Sequence, residues 1–233
     1  MKKSHFLVLS HQILSPMISN KDIAKKTAKQ LLKVKAVSIR PENPFIWASG
    51  WQSPIYCDNR VLLSYPEIRT NIKDFFCTII KEKFPDAELI AGVATGAIAM
   101  GVLVAEALDL PFVYVRPQPK GHGRNNQVEG HLQKGQKTVV IEDLISTGKS
   151  SMNAVEALKN EQANILGMVA IFTYDFTQSK TLFKDKNIEL FTLSDYNLLL
   201  EQAKTERYIT NQHIDNLKQW RINPEDWQPI SIT

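Results

Sequence analysis

The segment Val139-Val140-Ile141-Glu142-Asp143-Leu144-Ile145-Ser146-Thr147-Gly148-Lys149-Ser150 constrains this chain more than any other. Three branched apolar residues run directly into two carboxylates. An unbroken run of this kind reads as a strand covered on both faces of a parallel sheet. Two acids placed straight after a buried run are costly unless they have a partner to bind. The Ser-Thr-Gly-Lys-Ser turn then enters a helical pattern over 149–160. It offers hydroxyls and backbone N–H groups at a helix N-terminus, which is an anion site suited to a phosphate monoester. Gly148 allows the backbone to approach closely. The whole segment reads as one site for a sugar phosphate. Glu142 and Asp143 take the ring hydroxyls, and the turn Leu144, Ile145, Ser146, Thr147, Gly148, Lys149 and Ser150 takes the phosphate. The competing loop Gly-x-x-x-x-Gly-Lys-Ser requires glycine at position 143, where Asp143 stands and would repel phosphates.

The rest of the chain supplies a scaffold for such a strand. Apolar runs at 89–93, 112–115, 138–141 and 167–172 predict strands, and they alternate with helical patterns at 97–108 and 149–160. That alternation predicts an α/β fold, with a central parallel sheet flanked by helices and ligands at the strands' carboxyl ends. Earlier in the chain, Ser19 to Asp22 starts a helix ending near Ala36, and Pro66 opens another running to about Phe84. Between them, residues 41–65 are rich in proline, serine, glycine and aromatics and predict short strands and turns forming a small hood. The expected organisation is one domain over 19–233. Its parts are a hood from about 19–65, a core from about 66–205 and a helical extension from about 206–233. Residues 1–18 read as a disordered leader, with Met17 as an alternative start.

A polar stretch from Arg116 to Lys137 has several glycines and little to bury. A long loop of this kind inside a compact domain is usually functional or disordered. Arg116, Lys120 and His122 place three potential cations on it, suited to closing over a pyrophosphate leaving group and excluding water.

These features together resemble the type I phosphoribosyltransferases, whose signature for phosphoribosyl pyrophosphate (PRPP) is similar to residues 139–150. The spacing Arg-x-x-x-Lys-x-His-Gly from Arg116 resembles the catalytic loop of the orotate enzymes, not those for purines or uracil. Ser49-Gly50-Trp51-Gln52-Ser53-Pro54-Ile55-Tyr56 resembles their hood segment. The resemblance covers roughly residues 20–205. It implies the type I phosphoribosyltransferase fold and Mg²⁺-dependent transfer of ribose 5-phosphate from PRPP to orotate. Asp143, Lys120 and His122 are implied as catalytic, and Arg116 joins them in binding PRPP. Ser146 and Tyr56 are implied at the orotate ring. It further implies Mg²⁺ carried by PRPP and not by a protein cage, and a homodimer whose 116–130 loop reaches the neighbouring subunit's site. The chain departs from the family pattern at Ala48, Thr95-Gly96 and Pro117, and at Tyr174, which stands where an arginine holds the orotate carboxylate. A transferase for another nucleobase and a PRPP-sensing regulator are the alternative readings.

Composition excludes other classes. The net charge of +4, from 28 Lys+Arg against 24 Asp+Glu, is too mild for a nucleic-acid stripe. Cys57 and Cys77 sit in no Cys-x-x-Cys or Cys/His cluster, so neither a metal site nor a disulfide framework is expected. No apolar run reaches a membrane span, and the short run Phe6-Leu7-Val8-Leu9 is no signal-peptide core. The cytoplasm is the expected compartment. His5, His11, His131 and His213 are expected on the surface, and Trp220 and Trp227 in packing.

Overall fold

The computed structural model describes residues 17–47, 50–118 and 127–229. Its centre is a six-stranded sheet built from β5 (Leu89–Val93), β6 (Phe112–Val115), β7 (Val128–Glu129), β8 (Lys137–Ile145), β9 (Asn164–Thr173) and β10 (Leu190–Asp195). The strand order is β10-β9-β8-β5-β6-β7, and every pairing is parallel except the antiparallel edge β6–β7.

The two-residue period of a strand divides its side chains between two cores. On one face Ile90, Val139, Ile141, Val169 and Ile171 pack with α1 (Lys21–Lys33), α2 (Pro66–Lys83), α3 (Ile98–Leu108) and α6 (Tyr196–Thr205). On the other, Leu89, Ala91, Val140, Met168 and Ala170 meet Met152, Val155 and Leu158 of α4 (Lys149–Asn160) and Phe183 of α5 (Thr177–Asp185). This is the helix-covered, mostly parallel sheet expected from the sequence. The N-terminal helix starts one residue after Asn20, whose side chain accepts from the N–H groups of Asp22 and Ile23.

Three elements were not anticipated. β10 interleaves Thr192 and Ser194 with apolar residues, so its burial is hidden in the sequence. Among the residues of α5, only Ser179 and Phe183 are buried, which leaves almost no apolar stripe. β7 lies inside the stretch expected to be structureless and pairs Val128 with Val115. At the outer edge of β10, Thr192 N–H donates to Met17 O at 2.7 Å and Ile18 bridges Thr192 in parallel. The last two residues of the expected leader thus lie against the sheet, and the rest of it falls outside the described residues.

The hood contains two small antiparallel ladders, β1 (Val37–Ile39) with β4 (Ile55–Cys57) and β2 (Phe45–Ile46) with β3 (Gln52–Ser53), then a 3-10 helix over Asn59–Ser64. Helix α1, counted with the hood in sequence, packs on α6 and β10. After α6, helix α7 (Asn211–Ile222) returns to the hood. Its Trp220 is fully buried among Trp47, Tyr174, Phe176 and Tyr196 and donates from Nε1 to Gln52 O at 3.1 Å. Trp227 donates to Asn216 O at 3.1 Å. His213 closes a capping box with Thr210 at the start of α7 and approaches Glu42 at 3.3 Å, so its ring serves the helix end and is not simply solvated. Among the described residues, no helix is long and apolar enough to cross a membrane.

Candidate active site

The strand carrying the two acids is longer than expected. β8 continues to Ile145 because β9 keeps pairing with it as far as Ile145↔Thr173. On its other side, pairing with β5 stops at Gly92↔Ile141. The cleft opens where the β5 ladder ends, at the carboxyl edge where open α/β sheets bind ligands. The turn from β5 into α3, which contains a cis Ala94–Thr95 peptide bond, forms one wall. Gly96 in that turn lies directly against the carboxylate of Asp143, and a β-carbon at this position would overlap it. The turn at 95–96 and the second acid, distant in sequence, are therefore in contact.

The two acids have different surroundings. Glu142 is only 4% exposed. Its Oε1 accepts from Asp143 N–H at 3.0 Å and its Oε2 from Ser151 Oγ at 2.9 Å. Burial, and then the charge of Asp143, push the Glu142 carboxyl well above the usual carboxylate range. Asp143 is half-buried and looks into the cleft toward Gly96. The sequence had presented the acids as an equal pair; the fold points one inward and the other outward.

The turn after them meets α4 through Gly148, whose φ of +80° favours glycine and whose missing side chain leaves room for Phe183. Ser146 and Thr147 are half-buried, while Lys149 and Ser150 are exposed on the helix's first turn. Leu144 packs against the core, and Ile145 is fully buried, with its carbonyl accepting from Tyr174 N–H at 3.1 Å. These two contribute backbone and position, not polar side chains.

The hood faces this edge. Tyr56 is 46% exposed, with its ring 5.5 Å from that of Phe45. Asp58 holds Arg60 through two bonds of 2.7 and 2.9 Å, and that partner lowers the Asp58 carboxyl below its ordinary range. Asn59 is buried, and its Nδ2 donates to Asp143 O at 2.6 Å. Cys57 donates to Asn59 Oδ1 at 3.4 Å, and burial, with Asp143 and Asp58 nearby, raises the Cys57 thiol.

Tyr174 is buried among Trp47, Phe172, Phe176 and Trp220. In the same turn Asp175 accepts from Arg221 of α7, whose Nη1 donates to Asp175 O and Oδ2, both at 3.0 Å. At the root of the long loop, Arg116 N–H donates to Gln127 O at 2.9 Å, and Gln127 Nε2 donates back to Arg116 O at 2.8 Å. The Arg116 guanidinium reaches Glu129 at 3.5 Å. Lys120 and His122 lie outside the described residues, as do Ala48 and Ser49.

Sequence reading passed over Ser151 and Asn59. Ser151 carried a signal, since it falls in the first turn of the helix that follows the acids. Asn59 carried none, because its partner is far along the chain. Among the described residues no three or more His, Cys, Asp or Glu side chains gather where a metal ion could be held.

Comparison with known proteins bears on this geometry. The phosphoribosyl transferase domain family matches residues 61–198. An orotate phosphoribosyltransferase from Porphyromonas gingivalis is 52% identical over 207 residues, covering 89% of this chain and 99% of that protein. One from Cytophaga hutchinsonii is 51% identical over 204 residues, covering 88% and 98%. Among solved structures, the orotate phosphoribosyltransferase from Aeropyrum pernix superposes with a TM-score of 0.69 at 28% identity, covering 76% of this chain and 98% of that one.

Proposed function

The chain belongs to the orotate phosphoribosyltransferases, within the phosphoribosyl transferase family, and from that premise we propose how its residues divide the work. The enzyme transfers ribose 5-phosphate from PRPP to orotate, giving orotidine 5′-monophosphate and pyrophosphate in pyrimidine synthesis. Breaking the anomeric C–O bond builds positive charge on the ribose and negative charge on the departing pyrophosphate. Catalysis is then a matter of position and preorganised charge.

In this proposal Asp143 accepts the ribose hydroxyls and faces the growing positive charge. Glu142 stands behind it in the same motif, holding the strand to α4 through Ser151. The turn Ser146-Thr147-Gly148, with the N–H groups of Lys149 and Ser150, receives the 5-phosphate. Ser146 and Tyr56 flank the orotate ring, one from the turn and one from the hood. Arg116, Lys120 and His122 neutralise the pyrophosphate, and His122 supplies a proton to it. The observation that carries the reading is the contact of Asp143 with Gly96, which brings the sugar-phosphate motif and the turn after β5 into one cleft.

In this reading Mg²⁺ accompanies PRPP, held mainly by the substrate's own oxygens and water. When bound, the ion offsets the charge of the pyrophosphate. We further propose that the enzyme works in the cytoplasm as a homodimer whose 116–130 loop serves the neighbouring site. Turnover of PRPP with orotate, uracil, adenine and hypoxanthine tests the base assignment. Activity with orotate is expected, and activity confined to the other three would overturn it.

A further inference from the structure

The hydrogen bond between Asn59 and the Asp143 backbone spans 84 residues of sequence and joins the hood to the acid-bearing strand. It forms where the sheet stops providing partners, two residues beyond the last pairing of β5 with β8. Asn59 is 3% exposed, so its amide must be satisfied inside the protein. Both ends are: Nδ2 donates to Asp143 O, and Oδ1 accepts from Cys57 Sγ. The Asp143 carbonyl can only accept, so it takes Nδ2 and leaves Oδ1 facing the Cys57 thiol, which fixes which way round the amide sits. Asn59 is also three residues after Tyr56, on the segment that covers the cleft.

We propose that Asn59 is a positioning residue that latches the hood to Asp143, so that the base and the sugar phosphate bind as coupled events. A base settling against Tyr56 bears on the 56–59 segment, which the β1–β4 ladder and the 3-10 helix already hold in place. Through Asn59 that segment holds the backbone of Asp143, and with it the carboxylate beside Gly96. By linkage the sugar phosphate must favour base binding by the same factor. The inference rests on the reading of Asp143 as the ribose-binding acid.

The test uses ribose 5-phosphate, which has the hydroxyls and the phosphate but no leaving group, so no turnover intervenes. Its Kd is measured by calorimetry with and without saturating orotate. In the wild type orotate should tighten it at least about 5-fold, the lower end of ordinary coupling. Asn59→Ala and Asn59→Asp, which remove the donor, should bring that ratio close to one. Should either fail to fold, the Cys57 pair carries the test. Cys57→Ser keeps a donor to Oδ1 and should keep the ratio, whereas Cys57→Ala should lower it. A purely packing role for Cys57 predicts the reverse order, since serine buries a hydroxyl. A ratio of one in the wild type, an unchanged ratio in the Asn59 variants, or a Ser variant as impaired as the Ala variant would each overturn the latch. Asp143→Asn separates the two levels. If it leaves ribose 5-phosphate binding intact, the reading of Asp143 fails and the latch with it. If it weakens binding while the Asn59 variants keep the ratio, the latch alone fails.

Discussion

Replacing Gly96 by alanine adds one methyl group at the point where the turn after β5 meets the acid on β8. The new β-carbon would stand 2.7 Å from Asp143 Oδ1 and closer still to the rest of the carboxylate. Ordinary contact begins near 3.4 Å, and the closest carboxylate oxygen sets the requirement, so one partner must move by about 1 Å or more. Asp143 cannot shift as a whole without breaking bonds, because its N–H is held by Glu142 and its carbonyl by Asn59. Either the carboxylate swings away or the turn lifts. Overpacking of this kind costs about 1–3 kcal/mol of stability. A displacement of about 1 Å at a group that positions the reacting centre costs about 10²-fold in rate. The expected result is a folded variant whose urea unfolding free energy drops by about 1–3 kcal/mol and whose kcat/KM for PRPP falls about 10²-fold. The double variant Gly96→Ala/Asp143→Ala should recover most of the stability, because the clash needs both groups and the two changes then fail to add. Two results would refute the reasoning: kcat/KM within threefold of wild type in Gly96→Ala, or a stability cost undiminished when Asp143 is removed.

Other perturbations test separate parts of the site. Glu142→Gln keeps the shape of a protonated carboxyl; its oxygen can accept from Asp143 N–H, and its Nε2 can donate to Ser151 Oγ with that bond reversed. The raised Glu142 carboxyl binds its proton more tightly in the folded protein than in the unfolded chain. Its stabilising contribution is therefore complete below the unfolded value of about 4.3 and is lost as pH rises through the folded one. Wild-type stability relative to Glu142→Gln, from urea melts, should fall as pH rises above about 4.3, and a flat difference would contradict it. Trp220→Ala empties the centre of the aromatic cluster under the hood. It should cost about 3–5 kcal/mol in urea unfolding, and a loss below about 1 kcal/mol would show that α7 is not anchored there. Lys120→Ala should lower turnover greatly with the fold intact by circular dichroism. Mixed with Asp143→Asn subunits, it should regain activity if the loop serves the neighbouring site, and no recovery in confirmed mixed dimers would count against sharing.

Much of the fold was legible because its strands are continuous apolar runs. Leu89–Val93, Phe112–Val115 and the start of β8 announce themselves by composition alone, as strands covered on both faces must. β10 did not, because Thr192 and Ser194 are buried with the apolar residues beside them and break the run. Helix α5 is held by few buried side chains, Phe183 foremost, and its sequence therefore has no stripe to read. β7 needs only two residues, and its pairing with β6 is a tertiary fact. The site divides along the same line. Glu142, Asp143 and Gly148 carry local signals, since acids after a buried run and a glycine before a helix each have a physical cost or use that the sequence shows.

What the sequence could not show is how the acids are made unequal, and that is what turns a motif into a site. Two adjacent residues on a strand point to opposite faces, and here the face of Glu142 is covered by α4 while that of Asp143 borders the turn after β5. The inward one, Glu142, is tolerated because Ser151 and the Asp143 N–H meet both its oxygens. The outward one, Asp143, is then fixed from four directions: by Glu142 at its N–H, by Asn59 at its carbonyl, by Gly96 at its carboxylate and by β9 through Glu142 and Leu144 on either side. Glu142 is its neighbour in the motif, but Asn59, Gly96 and β9 come from other elements, and the residues around Asp143 do not announce them. A carboxylate held this way needs little reorganisation when charge develops on the ribose, which is the condition for electrostatic catalysis to act at the moment of bond breaking. The same reasoning explains why substitution at Gly96 or Asn59, neither of which carries charge, should alter turnover as surely as changing the acid itself.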